Sequence, residues 1–196
     1  LYIHVPFCRR KCAYCDFCSR PAAEGEMDRF ASAVVRELDL RGCGNTSTVG
    51  REWCPTFAPS SARREGPEDG AIRALQKDTG TRTLYFGGGT PSLLGAPRLG
   101  RLLGAIRARV PLAGDAEVTV EANPLDVTAE WAATCRAAGF NRVSVGVQSM
   151  DDAELAFLGR PHRGEDGPRA VARARGAGFE EIGIDLIYGL PGQTPG

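Results

Sequence analysis

A short unit used twice constrains this fold more than any other feature of the sequence. Arg136-Ala137-Ala138-Gly139-Phe140 and Arg175-Gly176-Ala177-Gly178-Phe179 stand 39 residues apart. Each closes a helical pattern with a glycine, plants a phenylalanine and opens a β-rich run. The same alternation extends over most of the chain. Strands are expected at 1–5, 83–86, 118–120, 143–147 and 181–187, from β-branched and aromatic runs bounded by Gly or Pro. Helices are expected at 24–41, 99–110, 128–138, 151–158 and 165–177. Met27, Phe30, Val34 and Leu38 form one apolar stripe of the first helix, read as core rather than as a cofactor contact. Strand–helix alternation predicts an α/β fold with a parallel sheet and helices outside it. Right-handed crossovers would wind it into a doubly wound sheet or a barrel.

One stretch breaks the pattern. From 42 to 79 Gly, Ser, Thr, Pro and Arg dominate, with a helical pattern only at 71–77. The chain therefore divides into 1–41, an insertion at 42–79 expected to be at least partly disordered, and 80–196. Cys43, Trp53 and Cys54 fall in the insertion and receive no function. The 25 Gly and 13 Pro come from two sources, the insertion and the loops after strands. Charge is balanced, with 24 Lys plus Arg against 24 Asp plus Glu, so nucleic acid is not expected as a partner. No apolar run approaches the ~20 residues of a membrane span. Leu1 opens directly in an apolar run without an initiator Met, which predicts a fragment of a longer protein.

Four of the seven cysteines, Cys8, Cys12, Cys15 and Cys18, lie within eleven residues. Loops this short gain little from disulfides, and tight spacing in a chain that can build its own core points to metal or catalysis. The C-x3-C-x2-C run suits an iron–sulfur cluster held by three thiolates, with one iron left open for chemistry. The alternative is a Cys3His zinc site completed by His4. Arg9, Arg10 and Lys11 fill the first gap, where they offset an anionic cluster, stand as solvated loop cations, or do both.

Parallel α/β folds place ligands at the carboxyl ends of their strands. Each expected strand ends in a notable group. The cysteines follow the first, and Gly87-Gly88-Gly89-Thr90-Pro91 follows the second. Glu121 ends the third, Gln148 follows the fourth, and Asp185 lies near the end of the fifth. The triple glycine is neither a P-loop nor G-x-G-x-x-G, but it allows close backbone approach to a ligand. A tight turn is its other reading.

Five blocks resemble a known family in order and spacing. They are Tyr2-Ile3-His4-Val5-Pro6-Phe7-Cys8 through Tyr14-Cys15, Phe86 through Ser92, Glu121-Ala122-Asn123-Pro124, Ser144 through Ser149, and Asp185 through Pro191. Together they resemble the radical S-adenosylmethionine (SAM) proteins, and within them the oxygen-independent coproporphyrinogen III oxidase-like family. The resemblance covers the chain except about 42–79. It implies an incomplete (β/α) barrel with about five of six strands, truncated before the last strand and a C-terminal domain. It implies a 4Fe–4S cluster on Cys8, Cys12 and Cys15, with the fourth iron chelated by SAM. Glu121 and the backbone of Gly88, Gly89 and Thr90 would hold the methionyl amino end, and Arg160 its carboxylate. Gln148 and Asp185 would bind the ribose hydroxyls. Tyr14 would lie near adenine and Tyr2 near the cofactor. The implied reaction is reductive cleavage of SAM to methionine and a 5′-deoxyadenosyl radical. His162 is assigned only to a loop.

The oxidases in this family resemble C-x3-C-x2-C-x-C, and here Phe17 stands at the fourth cysteine, with Cys18 one place later. Cys15-Asp16-Phe17 followed by Ser19 resembles the heme-chaperone branch instead. That branch implies heme or porphyrin, bound through a missing C-terminal half, and a heme-accepting protein as partners. It implies a cytoplasmic location, or a mitochondrion or plastid in a eukaryote. A coproporphyrinogen oxidase and an inactive truncated scaffold are the alternatives. Whether the chain itself catalyses a reaction is left open.

Overall fold

The computed structural model describes residues 1–41 and 80–194. The expected insertion at 42–79, with the 71–77 helix, Cys43, Trp53 and Cys54, lies outside the described residues.

Five strands form one parallel sheet, β1 (Tyr2–Val5), β2 (Thr81–Gly88), β3 (Leu112–Ala122), β4 (Arg142–Gln148) and β5 (Glu181–Leu186), in the order β1-β2-β3-β4-β5. The helices are α1 (Glu26–Leu40), α2 (Ala96–Arg107), α3 (Ala129–Ala138), α4 (Asp152–Phe157) and α5 (Asp166–Gly176). Two 3-10 turns, Pro91–Leu94 and Pro124–Asp126, begin two of the crossovers. Strand order follows chain order without reversal. Right-handed crossovers in that order put every helix on the same face, which is barrel winding rather than double winding. Packing agrees, since α1 lies on α2, α2 on α3 and α3 on α5. The sheet does not close. Among the described residues β1 pairs only with β2, and β5 only with β4.

Period-two alternation divides each strand between two environments. Ile3, Phe86, Val120 and Val143 lie side by side across four strands on the helix face, and all are buried. Phe86 meets Phe140 edge-on at 5.2 Å between centroids. The other face carries Tyr2, His4, Tyr85, Glu121, Ser144 and Asp185, and bears no helix. At the open edge Ile184 and Leu186 point the same way as Val145 and Val147 but remain exposed.

The repeated unit has a structural basis. Gly139 follows α3 at φ 107°, a left-handed position that costs glycine nothing, and Gly178 follows α5 at φ 90°. The phenylalanine after each is buried. Arg136 of the first copy donates to the Gly178 carbonyl of the second at 2.9 Å. Among the described residues no helix is long and apolar enough to cross a membrane.

Candidate functional site

The cysteine loop leaves β1 at Pro6 and returns through Arg20. Cys8 N–H donates to the Arg20 carbonyl at 3.0 Å, and Arg20 N–H donates to that of Pro6. Between them the loop crosses the carboxyl end of the sheet. Thr90 Oγ1 donates to Cys8 Sγ at 3.5 Å, and an Arg160 Nη lies 3.7 Å from Cys12 Sγ. Tyr14 lies beside Cys12 and Arg160, and burial pushes its hydroxyl up to about 12.

His4 does not point at the thiols. Its Nε2–H donates to the Cys18 carbonyl at 3.1 Å, because a carbonyl only accepts. That fixes Nδ1 as the acceptor, 3.3 Å from the Tyr2 hydroxyl. A Cys3His zinc site would need His4 and three sulfurs around one point. Both ring nitrogens of His4 are engaged elsewhere in this structure. A cluster asks for something different, thiolates spread over separate irons.

The glycine loop lies against the root of the cysteine loop. Gly89 N–H donates to the Val5 carbonyl and Thr90 N–H to that of Phe7, both at 2.7 Å. A Cβ at Gly89 would stand 2.5 Å from the Phe7 carbonyl oxygen, so only glycine permits this approach. Glu121 at the end of β3 faces the loop. It accepts from Gly88 N–H at 3.1 Å and from the Tyr85 hydroxyl at 2.7 Å. Burial raises its carboxyl above the ordinary range, with Asp185 adding to the shift while its two hydrogen bonds oppose it. Tyr85 was not singled out from the sequence. It sits in a strand whose neighbours Leu84 and Phe86 are buried, so alternation assigns it to the helix-free face.

On the far side, Ser144 donates to Asp185 at 3.2 Å. Gln148 takes φ 69°, the only positive φ of a non-glycine among the described residues, where the β4–β5 register shifts. Such strain clusters at binding sites. Arg160 donates to the Gly146 carbonyl at 2.7 Å, and its Nε is buried without a hydrogen-bond partner. His162 is a buried anchor and not merely a loop residue. Its Nε2–H donates to the Val147 carbonyl at 2.8 Å, while burial lowers its pKa.

These groups share one cavity of about 270 Å³. Its wall includes Cys8, Cys12, Tyr14, Cys15, Gly88, Gly89, Thr90, Glu121, Gln148, Arg160 and Asp185, so every proposed site residue except Tyr2 is present. Tyr2 stands outside the wall, about half exposed, with its ring stacked on Tyr85. Asn123 and Asp126 also line the cavity, and the sequence reading did not select them as site residues. Both signs of charge line the cavity: Arg9, Arg10 and Lys11 come from the cysteine loop and Arg160 from the loop after α4, and Glu121 and Asp185 stand at the ends of β3 and β5. An unpartnered guanidinium nitrogen suits an anionic group, and a carboxylate between N–H and O–H donors suits an ammonium. The donors present therefore fit a soft-metal cluster beside a zwitterionic ligand.

The model of the Radical SAM superfamily matches residues 2–196. The chain belongs to that superfamily. Radical SAM membership implies a 4Fe–4S cluster and SAM, which agrees with the donor set. The chain is 38% identical over 196 residues to the heme chaperone HemW of Escherichia coli, covering 99% of this chain and 43% of that protein. It is 35% identical over 193 residues to the mitochondrial radical S-adenosyl methionine domain-containing protein 1 of Mus musculus, covering 98% and 37%. Among solved structures it is similar to coproporphyrinogen III oxidase (HemN) of Escherichia coli, described as a radical SAM enzyme. The TM-score is 0.72 at 27% identity, over 98% of this chain and 38% of that one. The chain thus spans less than half the length of these relatives.

Proposed function

We propose that the chain carries the cluster- and SAM-binding part of a HemW-like heme chaperone. One observation carries this reading. The three thiols and the polar groups ending the other four strands line the same cavity. Cys8, Cys12 and Cys15 hold the cluster. Glu121 and the Gly88–Thr90 backbone take the methionyl ammonium, Arg160 takes the carboxylate, and Gln148 and Asp185 take the ribose hydroxyls. Tyr14 forms the adenine side, and Tyr2 supports the site from behind through His4 and Tyr85. When bound, the cluster supplies the electron for reductive cleavage of SAM. The protein's own part is to orient the ligand and exclude water around it.

The chaperone branch is supported by Phe17, which lines the cavity where the oxidases carry a fourth cysteine. Cys18 is exposed, with its backbone carbonyl engaged by His4. Heme would be bound by parts of the longer protein and passed to an accepting protein. The bacterial and mitochondrial relatives support a cytoplasmic location in a bacterium and an organelle in a eukaryote. The likeness to HemN supports coproporphyrinogen oxidation as the second reading.

Anaerobic iron–sulfide reconstitution tests the site. The wild-type chain should turn brown. Cys12→Ala should lose the cluster, and Cys18→Ala should keep it. A colourless zinc product, or equal loss in both variants, would overturn the ligand assignment. Offering heme and coproporphyrinogen to the full-length protein under reducing conditions separates the branches. Decarboxylation rejects the chaperone reading, and heme binding without turnover supports it.

A further inference from the structure

Residues 9–14 form the middle of the cysteine loop; among the described residues none of their N–H groups finds a backbone acceptor, and their one backbone bond is the Cys12 carbonyl accepting from Cys15 N–H at 3.2 Å. A segment this poor in backbone partners must be held by side chains or remain mobile. Besides the Arg160 contact to Cys12 Sγ at 3.7 Å, two side-chain ties come from the loop's own arginines. Arg9 donates to Asp126 Oδ1 at 2.6 Å, across 117 residues of sequence. Arg10 donates to the Gly159 carbonyl at 3.3 Å, on the loop after α4.

The Arg9 tie has a fixed and a loose end. The Asp126 side chain is 6% exposed and that of Arg9 67%. Ser92 donates to the second Asp126 oxygen at 2.7 Å, and Ser92 in turn accepts from Asn123 N–H at 3.1 Å. Asp126 is thus set by the two 3-10 turns after β2 and β3, independently of the cysteine loop. Arg9 reaches in from solvent to a carboxylate already in place. Its charge meets a carboxylate, a partner that the sequence-based readings of this cation did not include.

We propose that Arg9 and Asp126 form a tether that holds the cysteine loop across the cavity rim, with Arg10 as a second point. Both are positioning residues. They fix the spread of Cys8 and Cys12 before any iron arrives, so less conformational freedom is lost when the thiolates engage. This inference rests on the cluster reading above for its consequence, but the tether itself can be tested without metal.

The first test uses the apo chain. Asp126→Asn keeps every loop residue and removes the charge that Arg9 seeks. Trypsin should then cut after Arg10 and Lys11 about tenfold faster than in wild type, because local opening governs cleavage. Equal rates would overturn the tether whatever the loop binds. The second test follows iron loss to a chelator from the reconstituted chain. Arg9→Met and Asp126→Asn should each release iron about tenfold faster, the low end expected of groups that support metal ligands. Arg9→Lys should recover part of the loss. The double variant should be no worse than either single one, since both remove the same interaction. Multiplying effects, or wild-type retention in Arg9→Met, would reject the proposal. A wild-type chain that takes up no cluster, with its loop still protected from trypsin, would instead reject the cluster reading and leave the tether standing.

Discussion

The two faces of the sheet are made by the same five strands and have almost nothing else in common. Leu84 and Phe86 face the helices and are fully buried, while Tyr85 between them faces the other way and holds Glu121. Val143 and Val145 are buried among apolar groups, and Ser144 between them bonds Asp185. The helix face derives its stability from apolar area removed from water. The opposite face carries the half-buried Glu121 carboxylate, whose burial works against its charged form. Stability and ligand recognition are therefore interleaved at a period of two, and adjacent substitutions should act on different properties.

The largest effect should come from the helix face. Phe86→Ala removes a ring packed on Phe140 and should lower unfolding free energy by about 3–5 kcal/mol, measured by urea denaturation. A loss under about 1 kcal/mol would mean that this face does not carry the fold. On the opposite face, Glu121→Gln should weaken SAM binding by about 10- to 100-fold, from loss of a charge-assisted contact of ~1.5–3 kcal/mol. The same change should raise the melting temperature of the apo chain at pH 7. A carboxyl whose folded pKa is raised favours folding below its unfolded pKa, and that benefit is gone once pH has risen through the folded value. Calorimetry with and without SAM reads both halves. A stable variant with unchanged affinity would remove Glu121 from the site.

The smallest effect should come from His162, where the backbone carbonyl of Val147 in β4 meets the loop that carries Arg160. Burial and the Arg160 charge lower its pKa, while the Val147 carbonyl and Asp166 oppose the shift. The histidine is neutral in the fold, so its stabilisation is present above pH 6.5 and lost as pH falls below that value. The slope is at most about 1.4 kcal/mol per pH unit. His162→Gln keeps a donor for Val147 and should flatten the melting profile between pH 7 and pH 5.5. An unchanged profile would show that the histidine is not the titrating group.

Local chemistry explains which elements were legible in the sequence. Helices α1, α3 and α5 and strands β4 and β5 lie within two residues of their expected ends, from the apolar period of α1 and from the glycines that follow α3 and α5 ahead of β4 and β5. Strand β3 is longer than its sequence pattern. It begins at Leu112 and includes Gly114 and Asp115, poor strand formers, because β2 offers a pairing edge from Thr81. Strand β2 continues through Gly87 and Gly88 because β1 pairs with them backbone to backbone. Both 3-10 turns went unread. In the cavity, each residue tied to a strand end was legible, since topology alone sends strand ends to a common place. The contacts of Tyr85 with Glu121 and of Arg9 with Asp126 were not. They join residues 36 and 117 positions apart, and no local periodicity carries that information.

Strand direction also fixes where the undescribed stretch attaches. The chain leaves α1 at Arg41 and re-enters β2 from Gly80, and both points belong to the amino-terminal edge of the sheet. Asp39 beside the first is held by Arg109 at the foot of α2, and Gly80 abuts the backbone of Leu112 and Ala113 at the foot of β3. The thiols, the glycine loop and Glu121 all sit at the other edge. The two points of attachment are thereby set apart from the chemistry by the length of the strands. Substitutions at Asp39, Arg109 or Gly80 would act on the anchoring of that junction, at the edge opposite the ligand-facing groups.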